Sequence, residues 1–231
     1  MKVLAFAIAA LLAGPVHAIE FVETDLFLDD ESFYRVVACG AAPEAECSRP
    51  MARWPVERAR TLTVGIANID ADFPSYKLSW AHAAVDEAIA EINAAGADLR
   101  ITRRADGLAA DIPIFLTGAG RGEAVSGTGY RGLDGSIIQA GLVTLWWQDG
   151  AISTAAVALS ADVRRRSIRS VMLEELVQAL GLSTDIRGPA YRGRSIFDED
   201  TNAVTQLLGQ DADALRRHYP LTDALRQSAS Q

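Results

Sequence analysis

"SVMLEELVQALGLSTD", residues 170–185, is the stretch on which the reading of the fold turns. Ile168, Met172, Leu176, Ala179 and Leu180 recur at helical spacing, which predicts a helix over about 164–181 with one apolar stripe. Gly181 stands where a left-handed cap would stop it. Away from the stripe, Glu174 and Gln178 lie one turn apart on the same face, with Glu175 beside them. Two adjacent acids and an amide on a helix are either a solvated polar face or the wall of a cleft.

Outward from this helix the pattern alternates. "TLTVGIANI" (61–69) is apolar and β-branched and predicts a strand. Ala81, Val85, Ala88 and Ile92 predict a long helix that ends at Gly96. "LRIT" (99–102) and "DIPIFLTG" (111–118) predict two more strands flanking a turn at Asp106-Gly107, and "IIQAGLVTLWW" with "AISTAAVAL" predicts a hairpin around Asp149-Gly150. The order strand–helix–four strands–helix implies an α+β domain, a twisted mixed sheet carrying two long helices, with a small C-terminal lobe. Seven glycines between 118 and 135 suggest a flap over a cleft, without the Gly-Lys-Ser/Thr ending of a phosphate loop. Residues 19–55 read as a loop-like N-terminal extension, 56–185 as the core, 186–222 as the C-terminal lobe and 223–231 as a flexible tail.

At the N-terminus, Lys2, the apolar run Val3–Ala13 and the small residues before Ile19 have the pattern of a signal peptide over 1–18. The run is shorter than the roughly 20 apolar residues that a bilayer span needs. Export makes the protein periplasmic or secreted, with no transmembrane segment after cleavage. In that compartment Cys39 and Cys47, close together across a Gly/Pro loop, most simply form a disulfide, two free thiols being the alternative. The net charge of −8 argues against nucleic acid as a partner. The Arg run at 164–166 reads as a solvated patch.

The 170–185 stretch resembles the active-site helix and turn of zincin metalloproteases of the metzincin type, with H-E-x-x-H replaced by Glu174-Glu175-x-x-Gln178. "RSIFDED" (194–200) resembles the stretch beneath the metal in that group, and "LLGQDADALRRHY" (207–219) its closing helix. The chain is similar to an uncharacterised family of exported bacterial proteins with a degenerate zincin-like core. The resemblance implies that Glu175 matches the catalytic Glu, while Glu174, Gln178 and Thr184 occupy the three zinc-ligand positions.

None of those three is a good zinc ligand, and no His of this chain belongs to the motif; His82 and His218 read as surface or packing residues. The resemblance thus implies no metal and no cofactor. The expected role is a non-catalytic binding or accessory module of the cell envelope whose partner is a protein, peptide or glycan. Glu174, Gln178, Thr184, Asp185, Arg187, Arg192 and Arg194 are the expected binding cleft. The competing expectation is a peptidase-like hydrolase using Glu175 as general base without a His-ligated zinc. Two carboxylates without a dication need another cation. Arg187, Arg192 or Arg194 is therefore expected to pair with Glu174 or Glu175.

Overall fold

The computed structural model describes residues 21–221; the expected signal peptide and the tail from 223 lie outside the described residues. In chain order the elements are β1 (Phe21–Glu23), α1 (Asp30–Cys39), α2 (Val56–Ala59), β2 (Leu62–Ile69), α3 (Leu78–Ala94), β3 (Ile101–Arg103) and β4 (Ile112–Leu116). They continue with β5 (Glu123–Ala124), β6 (Ile137–Ile138), β7 (Gly141–Gln148), β8 (Ala151–Leu159), α4 (Ile168–Gln178), β9 (Asp185–Arg187) and α5 (Gly209–His218). The fold is α+β, as expected.

Its centre is a five-stranded sheet in the order β3-β2-β4-β8-β7. The first four strands run parallel, and β7 closes the sheet as an antiparallel edge strand. The β7–β8 hairpin turns at Asp149 and Gly150, both with positive φ, where an Asp-Gly pair accepts the backbone that a tight turn demands. The Asp106-Gly107 turn is also present, but β3 and β4 do not pair with each other; they flank β2 on opposite sides.

One face of the sheet presents Val64, Ile66, Ile114, Leu116, Ile152, Ala155, Val157 and Leu159 to the main core, which includes Val85, Ile92, Met172 and Leu176 of α3 and α4. The other face is covered by the glycine-rich segment. Val125 and Leu133 bury with Phe115, Ala156 and Ala158, and Tyr130 packs on Phe115 and Trp146. The segment is thus the roof of a second apolar cluster and does not form a flap on the α4 side. A sheet buried on both faces explains why β4 is continuously apolar. The adjacent Trp146 and Trp147 fall at a bulge; Trp146 packs inward and Trp147 remains partly exposed.

The N-terminal extension is more ordered than its sequence suggests. Asp29 caps α1 by accepting from the Ser32 amide at 2.8 Å, and Gly40 ends it in the left-handed region. Phe33, Val36 and Val37 are fully buried. The signal is present in "DDESFYRVVACG": a capping acid, apolar residues three and four apart, and a terminal Gly. α1 packs against α5, and β1 pairs in parallel with β9, so the extension and the C-terminal lobe close one end of the domain together. Cys39 and Cys47 form a disulfide. Among the described residues no helix is long and apolar enough to cross a membrane.

Candidate functional site

α4 begins at Ile168 after a 3-10 turn, Arg165–Ser167, and ends at Gln178, so the helix is shorter than its apolar pattern. Of its eleven residues only Arg169 is exposed. The polar face is therefore not solvated: Glu174, Glu175 and Gln178 are all buried. They are enclosed because α4 lies between α3 and the β7–β8 hairpin, with the loop 182–202 folded over its end. Gly181 is required there. Its φ is +106°, and a Cβ would overlap the Ala52 carbonyl and come within 2.8 Å of His218 Nε2.

Glu175 points at the edge strand. Its carboxyl lies against the backbone of Gly141 so closely that a Cβ at 141 would sit 2.6 Å from Glu175 Cγ. Glu174 faces the loop, where its Oε2 accepts from Asn202 Nδ2 at 3.0 Å. Gln178 donates through Nε2 to Asp185 Oδ1 at 2.8 Å. Thr184 is fully buried and its hydroxyl is bonded by Arg49 Nη2, which also donates to Ser183 at 3.0 Å. The structure therefore brings Glu175 to Gly141 at the β7 edge, sets Glu174 against Asn202, pairs Gln178 with Asp185, and holds Thr184 to Arg49 beside α1.

The three arginines expected to neutralise the acids do not. Arg187 pairs with Glu199 and Asp200, both at 3.2 Å, and with Glu23 at 3.8 Å. Its guanidinium also covers the Phe21 ring. Arg192 pairs with Asp200 at 3.0 Å. Arg194 is exposed and forms an ion pair with neither glutamate. The physical reason is local: Glu199 and Asp200 capture Arg187 and Asp200 captures Arg192 at the surface, where the guanidinium groups stay hydrated.

Without an ion pair, the cluster's charge is disfavoured. Burial, then Asp185, then Glu175 push the Glu174 carboxyl well above the ordinary carboxylate range. Burial and Asp185 do the same to Glu175. Asp185 rises to about 8, mainly through burial and the nearby Glu199, while its bond from Gln178 and the field of Arg49 oppose the rise. Asp185 therefore holds its proton at neutral pH, and burial disfavours the charged forms of Glu174 and Glu175 in the same direction. Glu175 Oε2 is buried and makes no hydrogen bond, and Arg49 Nη1 is in the same condition.

The donor set does not fit zinc. Thr184 is engaged by Arg49, the Gln178 amide is turned to Asp185, and among the described residues no group of three or more His, Cys, Asp or Glu side chains is arranged to hold a metal ion. His82 lies beside Asp106 and Arg103 near β3, at the opposite edge of the sheet. His218 is wholly buried between the Ala52 carbonyl (2.9 Å) and the Tyr34 hydroxyl (3.2 Å), and burial lowers its pKa to about 4. It is a packing residue that supports the Gly181 turn. No family model matches the chain, and no curated protein does either.

Proposed function

We propose that the protein is an exported, zincin-like binding module that takes an extended peptide along the seam between β7 and α4. The observation carrying this reading is Glu175 lodged beneath Gly141 of an antiparallel edge strand, with Glu174 and Gln178 buried beside it. A strand at the edge of a sheet offers unpaired backbone groups to another chain, the usual basis of peptide capture by strand addition. The helix that follows the hairpin, with Glu175 turned to that edge, and the resemblance of "RSIFDED" and the α5 segment to the zincin pattern support the family reading. The disulfide and the pattern of the first eighteen residues support export.

The donor set favours binding over hydrolysis. A general base must be ionised to accept a proton, and burial together with Asp185 disfavours the ionised form of Glu175. Hydrogen–deuterium exchange of the purified protein, with and without a pool of random peptides, tests the reading. Slowed exchange in 141–148 is expected. Near-stoichiometric zinc in the protein from its native host, or peptide cleavage lost in Glu175→Gln, would overturn it.

A further inference from the structure

We infer that the arginine-lined surface where α4 starts beside α3 docks the protein on an anionic phospholipid membrane. The inference concerns other residues than the β7 seam and stands or falls independently of the peptide-binding reading.

The run at 164–166 is exposed, as its sequence suggests, but it does not stand alone. An open groove of about 440 Å³ is lined by Arg164, Arg165, Arg166 and Arg169, all four exposed. Among the described residues Arg164, Arg165 and Arg166 form no ion pair, and Arg169 pairs with Glu87 of α3. A fifth cation lies next to the run. Lys77 is only 7% exposed, and its ammonium donates to the carbonyls of Ala161 and Val163, without an ion pair among the described residues. Asp162, between those two residues, accepts from the Arg121 amide at 3.1 Å and pairs with none of these cations. Five positive groups thus meet a single carboxylate, on a chain whose net charge is −8. Their mutual repulsion does not help α4, whose first turn favours acids and has none. A polyanion placed on the groove offsets that repulsion.

The make-up of the surface selects the polyanion. A protein partner is usually met by an apolar centre with a mixed polar rim. This groove has arginines alone, one sign of charge without an apolar floor. A lipid surface presents phosphates in a plane, and guanidinium groups bind phosphate through paired N–H donors. At the border Arg165 lies over the Trp80 ring, 4.3 Å from its centroid. Tyr76 packs edge-on against Trp80 at 6.0 Å and is 67% exposed. Tyr and Trp beside arginines are the side chains that settle at head-group level, ring inward and polar end wet. Lys77 ties the start of α3 to the loop that carries the arginines, so the two parts of the surface are held together. The acidic remainder of the chain is repelled by the same membrane, which orients the molecule with this face inward.

Co-sedimentation with vesicles tests the inference, using protein purified from its native host, wild type and variants alike. Phosphatidylcholine vesicles are compared with phosphatidylcholine–phosphatidylglycerol vesicles, about 2:1, which carry the negative surface potential. Binding to the mixed vesicles alone is expected, and it should be lost between about 0.1 M and about 1 M salt, where the screening length shrinks from ~10 to ~3 Å. Arg165→Gln/Arg166→Gln should bind about 30-fold more weakly, each arginine at the surface being worth roughly fivefold. Arg100→Gln/Arg104→Gln, the same loss of charge at exposed positions flanking β3 on the far edge of the sheet, should bind like wild type. Circular dichroism checks that both variants fold; if the first does not, the lipid and salt dependence of the wild type decides. Equal binding to neutral vesicles, no vesicle binding, or an equal loss in the two variants would overturn the inference. Polyglutamate captured through Arg165 and Arg166 without any vesicle binding would overturn it in favour of an acidic protein partner.

Discussion

Raising the pH from about 5 to about 8 should loosen this protein, and Asp185→Asn should remove part of the effect. Asp185 has a folded pKa of about 8, against an ordinary value near 4. A carboxyl raised by folding stabilises the native state fully below the unfolded pKa. Between the two values the native state holds a proton that the unfolded chain has released, so stability declines by about 1.4 kcal/mol per pH unit. Three units give roughly 4 kcal/mol for an isolated group. Asp185 is only partly shielded from water, so about 2–4 kcal/mol is the reasonable range, a fall of roughly 5–15 °C in Tm for a domain of this size. Glu174 and Glu175 shift in the same direction and add to the slope. Asp29 and Asp134 are lowered by backbone amides, and their contributions disappear only at pH values below about 4, outside the window. The amide introduced by Asp185→Asn keeps an acceptor for Gln178 and loses the titration. Thermal melts followed by circular dichroism across the window, for wild type and Asp185→Asn, decide the matter. A wild-type Tm that is flat or rises with pH, or a variant that tracks it in parallel, would refute the account of a protonated, buried cluster.

Glu175→Gln should favour the native state more at pH 8 than at pH 5, because the amide cannot ionise where burial and Asp185 oppose the charge; urea melts at the two pH values measure the difference. Gly141→Ala should lose about 1–3 kcal/mol because the new methyl meets the Glu175 carboxyl, and Glu175→Ala in the same chain should restore part of it. A double-mutant cycle that is simply additive would separate the two residues. Reducing Cys39–Cys47 should cost about 2–3 kcal/mol, as expected for a loop closed across a sequence separation of 8. It should also free the segment that carries Arg49, read as faster exchange at Ser183 and Thr184.

How much of this is legible in the sequence depends on the range of the interaction. Periodicity in 61–69, 78–94 and 141–159 carries the strands, the first long helix and the hairpin because each is a local pattern facing a core. The pairing is not legible: nothing local tells β3 and β4 to flank β2, or tells the glycine-rich segment which face of the sheet to cover. α1 is legible but masked, because its cap and its apolar spacing lie inside a stretch of irregularly spaced aromatics.

The candidate site shows the same division more sharply. Glu174, Glu175 and Gln178 are marked out by one helical turn, and Thr184 and Asp185 by the turn that follows. Nearness in sequence points to Arg187, Arg192 and Arg194 as the source of the cation. Charge in a fold is settled by desolvation as well as by proximity. Arg187 and Arg192 gain surface carboxylates at Glu199 and Asp200 while staying hydrated, whereas reaching α4 would mean burying a guanidinium. The one arginine that does approach, Arg49, comes from 125 residues earlier than Glu174 by chain position and stops at Ser183 and Thr184, its own pKa lowered by burial even as Asp185 raises it. The cluster is therefore left short of positive charge in the free protein. A proton on Asp185, whose pKa of about 8 keeps it neutral at pH 7, offsets part of that deficit, and the burial that excludes a guanidinium is the same burial that raises the carboxyl.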